Sequence, residues 1–214
     1  MPVLALAAFF CALAYLGLTT RPAGGLRSTI KTAAVTLLAL AALQAGAPML
    51  LVLALALCAA GDYALSRPGE RAFLAGAAAF GAGHLAYVAL FLSSPAADPA
   101  RLGEPLRLIA LIALIGIGAL MLRLVMPRAG RLKGAALAYT PVILTMTATA
   151  LILPGVVPLA ALAFLLSDLI LAADIFLMRA GRVGRRWAPY AIWPLYWGAQ
   201  AGFLAGFLPA FLPG

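Results

Sequence analysis

The 214-residue chain is 65% apolar and 10% charged, with 15 basic against 6 acidic residues and a net charge of +9. A mean hydropathy of +1.09 excludes a soluble globular domain, because such domains carry roughly a quarter of their residues as charges. In a soluble protein the basic excess would suggest nucleic acid, but here the cations sit between apolar runs, so no nucleic-acid partner is expected.

A bilayer-spanning helix needs about 20 mostly apolar residues. Runs of that kind predict an all-α, polytopic membrane bundle of about eight transmembrane helices, near residues 3–19, 29–46, 48–65, 72–92, 105–126, 134–152, 155–177 and 189–211. They leave no room for a separate soluble domain, so residues 1–214 read as one transmembrane domain.

The first span has no basic segment before it and its first positive charge, Arg21, after it, which fits a retained helix rather than a signal peptide. Lys31 opens the second span as an interfacial residue, and Gly46-Ala47-Pro48 separates the second span from the third by a tight hairpin. The third span ends in Gly61-Asp62. The fourth contains Phe80-Gly81-Ala82-Gly83-His84-Leu85-Ala86-Tyr87, and Phe80, His84, Tyr87 and Phe91 recur at helical spacing on one face suited to lining a cavity. The sixth span carries Tyr139, and Leu153-Pro154-Gly155 separates it from the seventh, which holds Ser167-Asp168 and Asp174. In the eighth, Tyr196 and Gln200 share a face nearly opposite a ridge of Gly198, Gly202 and Gly206, small residues that suit close helix contact. Cys11 and Cys58 lie inside spans and read as small apolar packing residues.

The charges fix an expected orientation. The odd-numbered connections and their flanks hold 13 of the 15 basic residues, and the opposite side holds only Arg101 and Arg107. The positive-inside rule then makes the odd connections cytoplasmic and sets the N- and C-termini outside.

Ionisable side chains within spans are costly in hydrocarbon and usually face the bundle interior with a partner. Four fall in this class: Asp62, His84, Asp168 and Asp174, the last nearest the surface. Tyr87, Tyr139, Tyr196 and Gln200 are candidate interhelical hydrogen bonders, and Ser167 can bond its own helix. Asp62 and Asp168 lie 106 residues apart, each after a small residue and four helices apart, which is compatible with two parallel four-helix halves. Two cysteines and one histidine do not suit a zinc site of the usual kind, and no metal or other cofactor is expected.

Gly61-Asp62, the run from Phe80 through His84 and Tyr87 to Phe91, Tyr139-Thr140-Pro141-Val142 with Met146, Ser167-Asp168, and Tyr196 with Gln200 together resemble the YhhN family of lysoplasmalogenase-like membrane proteins. Lys31 is similar to that family's lysine on the second helix, with Thr32 where a proline would follow. The resemblance implies an eight-helix ether hydrolase that cleaves the vinyl ether of a lysoplasmalogen to a fatty aldehyde and a glycerophospho-ethanolamine or -choline. On that reading Asp62, Asp168 and His84 would be catalytic, and Lys31, Tyr87, Tyr139, Ser167, Tyr196 and Gln200 would contact substrate, with Lys31 or Arg71 receiving the lipid phosphate. The partners would be the lysolipid and bilayer lipids, in a multi-pass bacterial inner membrane protein whose site opens toward the cytoplasmic side. The sequence leaves the oligomeric state undefined. A different class stays open: the same Asp and His residues suit a proton- or cation-coupled membrane carrier.

Overall fold

The structure, a computed structural model, describes residues 2–178 and 183–208, and among these every regular element is helical. The eight helices are α1 (Pro2–Leu18), α2 (Gly25–Gln44), α3 (Met49–Leu65), α4 (Glu70–Leu92), α5 (Pro105–Val125), α6 (Lys133–Ala150), α7 (Val157–Phe176) and α8 (Val183–Gly206). Each of the eight expected spans corresponds to a helix, with α8 starting six residues before the expected 189, and with 209–211 of the expected last span lying outside the described residues.

The two uncharged breaks have local causes. After α2, Gly46 takes φ of 69°, its N–H bonds Leu43 O at 3.1 Å, and the N–H of Ala47 reaches back to Ala42 O at 3.0 Å. This is a Schellman closure, which needs a residue without Cβ in the left-handed region, and Pro48 then prevents the helix from resuming in phase. Gly155, at φ 67°, turns the chain between α6 and α7.

Helices α2, α4, α5 and α7 are each long and apolar enough to cross a bilayer, α5 when continued to Arg128. The apolar α1 and α3 are 17 residues each, about 25 Å at 1.5 Å per residue, a shortfall that bilayers accommodate by local thinning. The protein is an integral, multi-pass membrane protein.

Neighbouring helices pack in a circuit: α1 on α2, α2 on α3, α3 on α4, then α4 on α6, α6 on α7, α7 on α8, and α8 back onto α2 and α1. Helix α5 stands outside this circuit, leaning mainly on α6; of its 21 residues only Leu114 and Val125 are buried. Helices α3 and α7, which carry the two aspartates, are each packed between their sequence neighbours, α3 between α2 and α4 and α7 between α6 and α8.

Small residues set the closest contacts. A Cβ at Gly83 would lie 2.9 Å from Cys58 Sγ and 3.2 Å from Ala54 O, which brings α4 against α3. On α8, a Cβ at Gly202 would meet that of Ala160 at 2.9 Å, and one at Gly206 would meet Val157 at 2.5 Å. Gly198 faces open space, so the glycine ridge contributes to the α7–α8 contact through two members and not three.

The two ends of the bundle differ. At the end away from the basic connections, Tyr87, Phe91, Phe164, Phe203 and Phe207 are fully or almost fully buried, with Tyr87 and Phe203 rings 4.4 Å apart and Phe91 stacked on Phe207 at 5.9 Å. Arg107 ties the connections there, donating to Leu151 O and, at 2.7 Å, to Leu153 O. The other end encloses a cavity.

Candidate functional site

Lys31 stands near the start of α2 and Asp62 near the end of α3, so the hairpin sets them at one depth. Lys31 Nζ lies 2.8 Å from Asp62 Oδ1, and the Tyr196 hydroxyl of α8 donates to Asp62 Oδ2 at 2.6 Å. The Asp62 side chain is 1% exposed. A buried carboxylate is tolerable when an opposite charge and hydrogen bonds replace its hydration, and Asp62 has both.

A second cluster joins α4, α6 and α7. The Tyr139 hydroxyl donates to Asp168 Oδ2 at 2.6 Å and lies 3.3 Å from His84 Nε2, while His84 Nε2 is 3.7 Å from the same carboxylate oxygen. A phenol has one proton to give. With that proton directed along the shorter contact to Asp168, the Tyr139 oxygen accepts from His84, which favours the imidazole form with hydrogen on Nε2. The His84 side chain is fully buried against the edge of Phe164, with ring centroids 4.6 Å apart, whereas Asp168 retains 16% exposure.

Both aspartates line one cavity of about 390 Å³, together with Lys31, Tyr139, Ser167 and Tyr196. Its apolar wall comes from Ile117 and Met121 of α5, Ile143 and Leu144 of α6 and Leu165 and Leu169 of α7. Tyr15, Thr19 and Arg27 lie at its other side, and a smaller cavity of about 130 Å³ continues past Tyr15, Arg27, Lys31 and Leu65 toward Ser66 and Arg67. The arrangement can hold a chain in its apolar part while presenting two differently partnered carboxyl groups to a reacting centre.

The structure separates the other expected site residues. Of the α4 face, Phe80 lines the cavity, while His84 sits behind Tyr139, and Tyr87 and Phe91 belong to the aromatic packing against α8. Gln200, one turn beyond Tyr196, accepts the Tyr87 hydroxyl in that buried layer. Tyr87 and Gln200 thus join α4 to α8 and are not among the cavity's lining residues. Asp174 lines the cavity as well. Arg71 is exposed and lines neither cavity. Tyr15, Thr19 and Arg27 were not anticipated; the legible signal for Arg27 was its place one helical turn before Lys31.

Neither the curated proteins nor the solved structures contain a match to this chain. Residues 26–207, which include Lys31, both aspartates, Tyr139 and Tyr196, match the YhhN family. With the match running from α2 through α8 and covering the two carboxyl clusters, the chain belongs to the YhhN family.

Proposed function

We propose that this protein is a membrane-embedded hydrolase of the lysoplasmalogenase type, the activity with which the YhhN family is associated, and that it cleaves the vinyl ether of a lysolipid within the cavity. The observation that carries this reading is the pair of aspartates on one largely apolar cavity, Asp62 held by an ammonium and Asp168 by a phenol that adjoins an imidazole.

The chemistry needs a proton donor, a negative charge near a transient cation, and a water. Protonation of the outer alkene carbon converts the vinyl ether to an oxocarbenium ion; water adds to the cationic carbon, and the hemiacetal collapses to the fatty aldehyde and the glycerol alcohol. Water is consumed and no redox change occurs. The division of labour parallels that of glycosidases, in which one carboxyl group acts as acid and another balances the cation. Asp62, charge-balanced by Lys31, suits the electrostatic role. Asp168, with Oδ2 accepting from Tyr139, suits the acid when its other oxygen carries the proton, the Tyr139 hydrogen bond stabilising the carboxylate as it forms, and that conjugate base can then take a proton from the attacking water. The close aromatic packing of Phe91, Phe203 and Phe207 at the far end supports a site with access from one side, where a carrier would need access from both.

The test is aldehyde release by the purified, detergent-solubilised protein from a lysoplasmalogen. Asp62→Asn and Asp168→Asn keep size and polarity but cannot act as carboxyl groups, so each is expected to reduce turnover by about 10²–10⁴-fold with folding retained. Near-normal release from the double variant would reject the two-carboxyl mechanism. Absence of release from the unmodified protein would reject the activity itself.

A further inference from the structure

The small cavity beside Lys31 holds cationic charge that the reaction scheme does not use. Arg27, one turn before Lys31 on α2, donates through one guanidinium nitrogen to the Tyr15 hydroxyl at 3.3 Å and to Thr19 O at 3.0 Å. Its Nε is buried and has no hydrogen-bond partner, and no carboxylate pairs with Arg27 among the described residues. Arg67, which lines the same cavity, lies with its Cζ 4.5 Å over the Tyr63 ring and likewise makes no ion pair among the described residues. The Lys31 charge is already balanced by Asp62. Arg27 and the exposed Arg67 therefore line one cavity without a carboxylate partner, and the buried Nε–H of Arg27 calls for an acceptor.

Geometry narrows the acceptor. Arg27 and Lys31 are four positions apart on α2, an axial rise of about 6 Å. In a lysophospholipid, five bonds separate the phosphorus from the oxygen at the first glycerol carbon, which extends to roughly 6 Å. A phosphate beside Arg27 would thus set that oxygen level with the Lys31–Asp62 pair and its chain toward the apolar wall. Guanidinium groups suit this chemistry because their planar N–H fork matches two phosphate oxygens.

We propose that Arg27 and Arg67 form a phosphate-binding subsite that receives the phosphodiester headgroup of a single-chain glycerophospholipid. This deepens the hydrolase reading by assigning the residues that register the substrate, in place of the lysine and Arg71 expected from the sequence.

The experiment measures binding in maltoside micelles with 1-palmitoyl-lysophosphatidylcholine, whose ester linkage leaves it inert to vinyl ether hydrolysis, so its outcome is independent of whether the protein releases aldehyde. The comparison probes are 1-palmitoylglycerol, which lacks phosphate, and inorganic phosphate, which lacks a chain. Arg27→Gln is expected to weaken the lysophospholipid on the order of 10- to 100-fold and to leave 1-palmitoylglycerol within about twofold of its unmodified affinity, the latter also reporting an intact cavity. Because Arg27 also holds Thr19 O, Arg67→Gln, at an exposed position free of that tie, is measured alongside and is expected to act in the same direction with a smaller loss. Equal losses for the two lipids, or none for the lysophospholipid in either variant, would overturn the subsite. Inorganic phosphate binding as tightly as the lysophospholipid would overturn its assignment to a lipid headgroup.

Discussion

At the scale of single residues, the two aspartates differ in what holds them, and the difference orders the tyrosines. Asp62 has Lys31 besides Tyr196, whereas the Tyr139 hydroxyl is the group that links Asp168 to His84. Tyr139→Phe should lower the turnover number for aldehyde release by about 10- to 100-fold, the scale of a hydrogen bond to a charged group. Tyr196→Phe leaves the Lys31 ion pair in place, and a loss under about tenfold is expected. Melting temperatures measured on the same samples separate catalysis from folding, and equal losses in the two variants would refute the ordering. The aspartates, Tyr139 and Tyr196 were legible as site candidates because polar groups in hydrocarbon need partners, and Lys31 through the likeness of its position to the family's second-helix lysine. Which partner each takes was not legible, since that depends on packing between helices far apart in sequence. Helical spacing correctly grouped Phe80, His84, Tyr87 and Phe91 on one face. Spacing says nothing about what lies opposite, and beyond Phe80 that face meets the rings of Phe164, Phe203 and Phe207.

At the scale of helices, the contact between α7 and α8 gives a direct comparison of two glycines on one element. Gly202 lies where an added methyl would meet Ala160 Cβ at 2.9 Å, and Ala160 has no longer side chain to swing aside. Gly202→Ala should therefore force the helices apart and destabilise the protein by about 1–3 kcal/mol, the usual cost of overpacking. Gly198→Ala enters open space and should be neutral or stabilising by up to about 1 kcal/mol through helix propensity. Thermal unfolding in detergent measures both, and a Gly198 variant less stable than the Gly202 variant would contradict this packing of α7 on α8. The helices themselves were readable because hydrophobic length and the Gly-Pro breaks are local properties; Gly46 and Pro48 act within a few residues of the turn they make. The position of α5 was not readable. Its apolar sequence fits burial in protein or exposure to lipid equally well, and the outcome, a helix outside the circuit whose Ile117 and Met121 still wall the cavity, follows from the direct packing of α4 on α6.

At the scale of the whole molecule, charge distribution and cavity position bear on the same question, the face from which the site is reached. The connections on the cavity side include Arg21, Arg27, Arg67, Arg71, Arg128 and Arg131, while Arg179 and Arg182 lie outside the described residues. On the other side Arg107 is bound to Glu104 at 2.8 Å and to carbonyls of the α6–α7 connection, and Arg101 lies 3.8 Å from the same Glu104. Orientation follows lysine and arginine in short loops and not net charge, so the imbalance of 13 to 2 is the operative quantity and Glu104 does not alter it. A reporter inserted after Gly130, between α5 and α6, should read cytoplasmic, and one inserted after Gly103, between α4 and α5, should read external. A fusion after Gly214 should also read external if the chain crosses the bilayer eight times. These three readings constrain one another: exchange of the first two would invert the molecule and set the cavity toward the outer leaflet, and a cytoplasmic reading at Gly214 with the first two as expected would leave an odd number of crossings. With all three as expected, the small cavity lined by Arg27 and Arg67 lies on the side of the anionic cytoplasmic leaflet, and under the proposed function a lysolipid would set its headgroup there and its chain along the apolar wall of α5, α6 and α7.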